Sequence, residues 1–194
     1  MKKVLLLGDS IRMGYQQYVK EFLEGEYEVV FHEENGRCTA TTLWQVNQMF
    51  RRHPDIALVH WNNGYWDMHI SPPMKEHLRP LPEYVGNLYR IAQYIADRGA
   101  KAIFATTTPV KGDGYAREVT GIKTDIFFNE EFVKIYNKAA LAVMEELSIP
   151  INDLYTLCLE DENYYKRADM IHLTEEGSRR CAEQIAQIVR KELA

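Results

Sequence analysis

Short, continuous apolar runs alternate along the chain with longer segments in which apolar residues recur at helical spacing. Apolar runs that lack alternating polar positions are typical of strands buried on both faces of a sheet. The pattern predicts five such strands, at residues 4–7, 28–32, 55–61, 101–107 and, more weakly, 149–153. It also predicts five helices, at residues 12–24, 41–51, 82–98, 130–147 and in the segment that follows Thr174.

This alternation predicts the fold class. Parallel strands need crossover connections, and helices supply them, so we expect a flavodoxin-like α/β fold: a three-layer α/β/α sandwich with a parallel sheet of about five strands. Ligands of such folds bind beyond the carboxyl ends of the strands. No repeat or linker divides the 194 residues, so residues 1–194 are expected to form one domain. Residues 111–128 lack any period and are predicted to form a long loop over that edge.

Composition and charge narrow the class of protein. The chain is 46% hydrophobic with a net charge of −5 and no cluster of Lys or Arg, which argues against a nucleic-acid partner. No apolar stretch approaches the roughly 20 residues of a membrane span, and the apolar run after Lys3 is too short for a signal segment. Cys38, Cys158 and Cys181 lack the spacing of a metal site and are expected to be reduced thiols. We therefore expect a cytoplasmic protein without membrane insertion, metal or other cofactor.

A candidate nucleophile follows the first predicted strand, where Gly8-Asp9-Ser10 leads into the first helix. Gly8 would permit a tight turn. The backbone N–H of Ser10 would lie near a helix N-terminus, a position that favours developing negative charge. Asp9 is expected to make structural hydrogen bonds. The tripeptide by itself is equally compatible with a serine that only caps the helix.

A candidate base and its orienting carboxylate precede the last helix. Asp169 and His172 lie three residues apart in a predicted turn, which would bring their Cα atoms within about 7 Å. Because this segment follows the fifth strand, it should reach the same edge of the sheet as Ser10. Thr174 is expected to cap the last helix, with Gly177 at the third helical position. An isolated pair of this kind also occurs in solvated loops.

Two further segments could supply hydrogen-bond donors for an oxyanion. Gly36 follows the second strand and could offer a backbone N–H, and Asn62 and Asn63 follow the third strand and could offer a side-chain amide. Either segment alone could serve only as a turn, because Asn and Gly adopt turn conformations at low cost. Together with Ser10 and the Asp-His pair, however, they place four signals at one edge of one sheet.

In this order, Gly8-Asp9-Ser10, Gly36, Asn62-Asn63 and Asp169-x-x-His172 resemble the SGNH hydrolases, also called the GDSL esterase/lipase family. The resemblance extends from residue 3 to about residue 180, and the D-x-x-H-L-T-x-x-G stretch that begins at Asp169 is its most specific part. Where the family reads G-x-N-D, this chain has Trp61-Asn62-Asn63-Gly64, so Trp61 replaces the glycine.

The resemblance implies a serine esterase that hydrolyses small, acetyl-type acyl esters, with acetylated carbohydrates as the leading small-molecule substrates. It implies that Ser10 is the nucleophile, His172 the base and Asp169 the carboxylate that orients His172. The implied oxyanion donors are the backbone N–H groups of Ser10 and Gly36 and the side-chain amide of Asn63, with Asn62 as its competitor. Activity should then fall as His172 takes up a proton at acid pH.

Two alternatives remain open at this stage. One is a lysophospholipase or thioesterase, which would use the same residues on a longer or different acyl group. The other is a non-catalytic, flavodoxin-like module that binds a small ligand at the Gly8-Asp9-Ser10 turn. The candidate substrate-binding residues are Trp61, Tyr65, Trp66 and Arg37, each of which could instead serve packing or lie at the surface.

Overall fold

The computed structural model describes residues 1–111, 115–119, 122–166, 169 and 171–194. Its strands are β1 (Lys3–Leu7), β2 (Glu28–Phe31), β3 (Ile56–Asn62), β4 (Lys101–Ala105), β5 (Tyr115–Val119), β6 (Ile122–Ile126) and β7 (Ile151–Asn152). Within this described part of the chain, five strands form a parallel sheet in the order β2-β1-β3-β4-β7. The sheet is central, and β1 and β3 are its most deeply buried strands.

Helices cover both faces of the sheet. They are α1 (Ser10–Phe22), α2 (Thr39–Arg52), α3 (Tyr65–Met68), α4 (Leu81–Asp97), α5 (Glu130–Glu146), α6 (Leu154–Leu159) and α7 (Glu175–Leu193), with a short 3-10 helix at Glu162–Tyr164. Helix α1 packs against α7, whereas α2 packs against α4 and α4 against α5. The predicted fold class is therefore confirmed.

The buried faces explain why these segments fold as they do. In β1, Val4, Leu5, Leu6 and Leu7 are all completely buried, as a strand with helices on both sides requires. Burying a side chain of this size stabilises the fold by about 1.5–3 kcal/mol. The β1 run is therefore a large contribution to the core that holds the strand ends in register.

The segment predicted as a long loop contains a hairpin instead. Strands β5 and β6 pair antiparallel within it, and Ile70 forms a further antiparallel bridge with Phe127. A two-stranded hairpin depends on local backbone hydrogen bonds and needs no continuous apolar run, so the apolar pattern did not reveal it. Residues 112–114 and 120–121 of the predicted loop lie outside the described residues.

Three short helical segments were also missed, namely α3, α6 and the 3-10 helix. Each has only one or two turns, too few for an apolar period to show. The predicted cap of the last helix is confirmed, because Thr174 Oγ1 accepts a hydrogen bond from the Gly177 N–H at 3.2 Å. These short segments position the loops at the carboxyl edge of the sheet.

Candidate active site

Ser10 lies where β1 passes into α1. Gly8 has a φ of +145°, and a Cβ there would come within 2.0 Å of Asn62 Oδ1, so both the turn and the close approach require glycine. Asp9 caps the helix by accepting a hydrogen bond from the Ile11 N–H at 2.9 Å. Because Ser10 is the first helical residue, its N–H is among those that have no acceptor within the helix.

The loop before α7 brings His172 and Asp169 to this serine. His172 Nε2 lies 2.8 Å from Ser10 Oγ, and His172 Nδ1 lies 2.7 Å from Asp169 Oδ2. The other Asp169 oxygen accepts hydrogen bonds from the backbone N–H groups of Ile171 and His172, at 3.0 and 2.9 Å. Ser10 and His172, which are 162 positions apart in the sequence, thus form one continuous chain of hydrogen bonds with Asp169.

The electrostatics of Asp169 suit this arrangement. Burial raises the pKa of its carboxyl, but the hydrogen bonds from Ile171 and His172 outweigh burial and leave the pKa below its ordinary value. An ionised Asp169 favours a proton on His172 Nδ1, because a carboxylate only accepts hydrogen bonds. His172 Nε2 is then the ring nitrogen able to accept a proton from Ser10.

Gly36 lies directly against the β1 turn. Its backbone N–H donates to the Gly8 carbonyl at 2.8 Å, and a Cβ at Gly36 would lie 2.5 Å from that oxygen. The close approach explains why the position holds glycine. It also means that the N–H predicted as an oxyanion donor is engaged by Gly8 in this structure.

Arg12, which the sequence interpretation missed, stabilises the contact between Gly36 and Gly8. Its completely buried guanidinium donates to the carbonyls of Gly8 at 3.3 Å, His32 at 2.9 Å and Glu34 at 2.7 Å. It therefore ties the end of β1 to the loop that follows β2. The available signal was a charged residue on the same helix face as the buried Tyr15.

The two asparagines at the end of β3 have different partners. Asn63 Nδ2 donates to Thr42 Oγ1 at 2.9 Å and to the Arg37 carbonyl at 3.2 Å. Asn62 Nδ2 instead donates to Asp9 Oδ1 at 3.3 Å. Both asparagines are buried. Asn62 therefore supports the helix cap beside Ser10, whereas Asn63 joins the third strand to the loop after the second.

Asp67 is a second residue that the sequence interpretation missed. Its carboxylate accepts hydrogen bonds from the Thr39 N–H at 3.0 Å and the Thr39 hydroxyl at 2.6 Å. Burial raises the pKa of Asp67 to about 7, although the bonds from Thr39 oppose this shift. The contact couples α3, which follows Asn63, to the start of α2, which follows Gly36.

A pocket of about 360 Å³, open to solvent on one side, lies beside Ser10 and His172. Its lining includes Tyr65 and Trp66, two of the predicted substrate-binding residues. The prediction for Trp61 was wrong, because its side chain points into the core, is completely buried and packs on Phe104 with ring centroids 5.3 Å apart. A strand directs successive side chains to opposite faces, which an apolar cluster in the sequence does not reveal.

Arg37, the fourth predicted substrate-binding residue, is exposed, and its backbone has a φ of +47°. It is not among the residues that line the described pocket. In the described part of the chain, no group of three or more His, Cys, Asp or Glu side chains could hold a metal ion. None of the helices in that part is long and apolar enough to span a membrane.

Comparisons with known proteins agree with this fold. A GDSL esterase/lipase of Oryza sativa subsp. japonica is 24% identical over 142 residues, covering 71% of this chain and 54% of that protein, so the match spans about half of that relative. A GDSL esterase/lipase of Arabidopsis thaliana is 28% identical over 213 residues, covering 98% of this chain and 87% of that protein. The chain is therefore similar in sequence to curated GDSL (SGNH) esterases/lipases. No protein-family model matches it.

Solved structures share the fold of this chain at low sequence identity. A lipase/acylhydrolase from Enterococcus faecalis is 20% identical, with a TM-score of 0.74, and the match covers 99% of this chain and 97% of that one. A carbohydrate acetylesterase from Sinorhizobium meliloti is 15% identical, with a TM-score of 0.74 and coverage of 98% and 99%. These likenesses extend over nearly the whole of each chain.

Proposed function

We propose that this chain is a serine esterase of the SGNH (GDSL) hydrolase family, in which Ser10 is the nucleophile, His172 the general base and Asp169 the residue that orients His172. The observation that carries the proposal is the pair of short hydrogen bonds at His172, 2.8 Å to Ser10 and 2.7 Å to Asp169. A nucleophile, a base within hydrogen-bond reach and a group that orients the base form the arrangement that acyl transfer needs. A module that only bound a ligand would not require it.

The reaction follows from this geometry in two steps. Ser10 Oγ attacks the ester carbonyl carbon while His172 Nε2 takes its proton, and the bond to the alcohol breaks as His172 returns that proton to the leaving oxygen. Water then attacks the acyl-enzyme, gives a proton to His172 and releases the acid, and His172 reprotonates Ser10. Asp169 stabilises the imidazolium in both steps.

The proposed oxyanion hole uses the backbone N–H of Ser10 at the start of α1, together with Gly36 and Asn63. Gly36 and Asn63 now donate to neutral oxygens of Gly8, Thr42 and Arg37. An oxyanion accepts hydrogen bonds about twice as strong as those to neutral oxygen, which favours an exchange of partners when the charge develops. Asn62 remains the competitor for the amide role.

The proposed substrates are small, acetyl-type esters, with acetylated carbohydrates as the leading class. The pocket beside Ser10 is small, at about 360 Å³ including its open mouth, which suits a small acyl group better than a long chain. One fold neighbour is a carbohydrate acetylesterase, which agrees with this class. We also propose a cytoplasmic site of action, which the three buried free thiols support.

Labelling with a fluorophosphonate and hydrolysis of p-nitrophenyl acetate test the nucleophile. The wild type should be labelled and active. Ser10→Ala should abolish labelling, and Ser10→Ala and His172→Ala should each lower kcat by at least about 1,000-fold, because triad residues act as a unit. His53→Ala, at the opposite edge of the sheet, is the control. Labelling that survives in Ser10→Ala would refute the assignment, and an unlabelled wild type would favour the binding module.

A pair of variants tests the amide donor. Asn63→Ala should lower kcat by about 100- to 1,000-fold, as loss of an oxyanion donor does in other acyl-transfer enzymes. Asn62→Ala should act mainly on stability, because Asn62 supports the Asp9 cap. Initial rates and urea unfolding measured on both variants separate the two roles. Equal, small effects on kcat would exclude Asn63 as a donor.

A series of p-nitrophenyl esters with two to twelve acyl carbons tests the substrate class. We expect kcat/KM to be highest for acetate and to fall as the acyl chain outgrows the small pocket. A maximum at eight or more carbons would contradict the proposal and favour a lysophospholipase or thioesterase.

A further inference from the structure

The pocket beside Ser10 and His172 is mostly apolar, but one of its walls carries the imidazole ring of His69. The remaining lining residues are Tyr65, Trp66, His69, Ile126, Phe128 and Ile171. The Tyr65 hydroxyl is already hydrogen-bonded to the carbonyls of Thr108 at 2.6 Å and Pro109 at 3.0 Å. The wall residues with side-chain polar atoms left for a ligand are therefore Trp66, which can only donate, and His69, which can donate and accept.

The backbone holds His69 in place without a ligand. Its carbonyl accepts a hydrogen bond from the Leu78 N–H at 2.8 Å, and the next residue, Ile70, exchanges two 2.8 Å hydrogen bonds with Phe127. The indole of Trp66 meets the His69 ring edge-on, with centroids 5.4 Å apart. A side chain fixed in this way loses little conformational freedom when it binds a ligand.

The His69 ring interacts with the backbone carbonyls of Trp66 and Tyr65, but its Nδ1 makes no hydrogen bond of full geometry with a described residue. The side chain is only 4% exposed, and Nδ1 is sealed from solvent without a partner. Because His69 lines the pocket and its Nδ1 is sealed, we take Nε2 as the ring nitrogen available to a ligand. Proteins rarely leave buried polar groups unpaired, and such exceptions often mark a functional site.

The charge of His69 limits what it can bind. Burial lowers its pKa, although the nearby carbonyls of Trp66 and Tyr65 oppose the shift. The ring is then neutral at neutral pH, with one nitrogen that donates and one that accepts. A neutral imidazole suits a hydroxyl group, which can donate or accept as the tautomer requires, better than a carboxylate or phosphate, which bind most strongly to charged donors.

We propose that His69 Nε2 binds a free hydroxyl group on the alcohol portion of the substrate, so that the preferred substrates are partly acylated polyols or sugars. This proposal rests on the proposed esterase function and assigns a specificity-determining residue to it. The aromatic wall beside His69, formed by Tyr65, Trp66 and Phe128, suits the C–H faces of such an alcohol, while the imidazole hydrogen-bonds to one hydroxyl. Pockets that combine apolar walls with a few fixed polar groups gain their specificity in this way.

Two acetate esters of similar length test the proposal, glycerol 1-acetate and propyl acetate, with released acetate as the readout. Wild-type kcat/KM should be higher for glycerol 1-acetate. His69→Phe keeps the ring volume but removes both nitrogens, and it should lower kcat/KM for glycerol 1-acetate by about 3- to 10-fold, the effect of one neutral hydrogen bond, with little change for propyl acetate. His69→Gln keeps a hydrogen-bonding group and should retain most of the preference.

The controls separate this proposal from the esterase assignment. His53→Phe should change neither substrate, and fluorophosphonate labelling of His69→Phe at the wild-type rate would show that Ser10 and His172 are intact. His69→Met replaces His69→Phe if the latter does not fold. Equal losses on both esters, or a wild type without preference for glycerol 1-acetate, would overturn the role of His69. A wild type that hydrolyses neither ester and is not labelled would instead overturn the esterase function.

Discussion

At the scale of single residues, the buried carboxyl of Asp67 and the half-buried carboxyl of Asp169 have pKa values shifted in opposite directions. Asp169 accepts two backbone N–H groups and a histidine, and these bonds hold its pKa below the ordinary value despite burial. Asp67 is more deeply enclosed, and burial raises its pKa to about 7 against the hydrogen bonds from Thr39. The free energy of unfolding should therefore respond to pH in opposite ways at the two positions.

The raised pKa of Asp67 makes the folded protein less stable as the pH rises. Between pH 4 and pH 7 the folded state keeps the Asp67 proton while the unfolded state has lost it, so raising the pH favours unfolding. The free energy of unfolding of the wild type should fall across this range by about 4 kcal/mol relative to Asp67→Asn, since the pKa rises from 3.8 to about 7. Urea unfolding of both proteins at several pH values measures the difference.

Asp169→Asn is the matched comparison. The contribution of Asp169 to stability is present above the pKa of the unfolded chain and is lost as the pH falls through its lower folded pKa. The difference between the wild type and Asp169→Asn should therefore shrink on acidification. If the two difference curves had the same slope, the assigned environments of the two carboxylates would be wrong.

At the scale of secondary structure elements, the loops at the sheet edge depend on how helices pack against them. Gly177 lies in the first turn of α7, and a Cβ there would come within 2.5 Å of the Tyr164 carbonyl in the 3-10 helix. The nearest atom to a Cβ at Gly86, inside α4, is the end of the Arg90 side chain at 3.6 Å. Helix propensity favours alanine at both positions, whereas packing permits it at only one.

We therefore expect opposite effects from the two substitutions. Gly86→Ala should raise the free energy of unfolding by about 0.5–1 kcal/mol. Gly177→Ala should lower it by about 1–3 kcal/mol, because backbone atoms must move, and should reduce esterase activity by displacing the loop that leads to Asp169 and His172. Urea unfolding and p-nitrophenyl acetate hydrolysis test both. A stabilised, fully active Gly177→Ala would contradict the packing argument.

At the scale of the whole molecule, one sheet brings together residues from distant parts of the sequence. The reactivity of the buried thiols measures whether this fold is intact. Cys38, Cys158 and Cys181 are all buried, and the Sγ atoms of Cys158 and Cys181 lie 3.6 Å apart. The neighbouring Cys158 and burial raise the pKa of Cys181, which disfavours its reactive thiolate.

The thiols should therefore react only when the fold opens. With Ellman's reagent, the native protein should react much more slowly than free glutathione at the same pH, and the protein in concentrated guanidinium should yield all three thiols. Rapid reaction of a native thiol would mean that its environment is more open than the structure indicates. A yield of one thiol in denaturant would reveal a disulfide between Cys158 and Cys181.

The sequence by itself determined the element order, the parallel sheet and the segments that end at its carboxyl edge, because apolar periodicity and the rules of strand connection are local or topological. It also placed Ser10, Asp169 and His172 at one edge. The tertiary structure alone decided which groups pair there: Arg12 under Gly8, Asp67 with Thr39, the Gly36 N–H on the Gly8 carbonyl, Trp61 in the core and His69 in the pocket. Those outcomes depend on side-chain direction and on contacts between residues far apart in the chain, which no local pattern encodes.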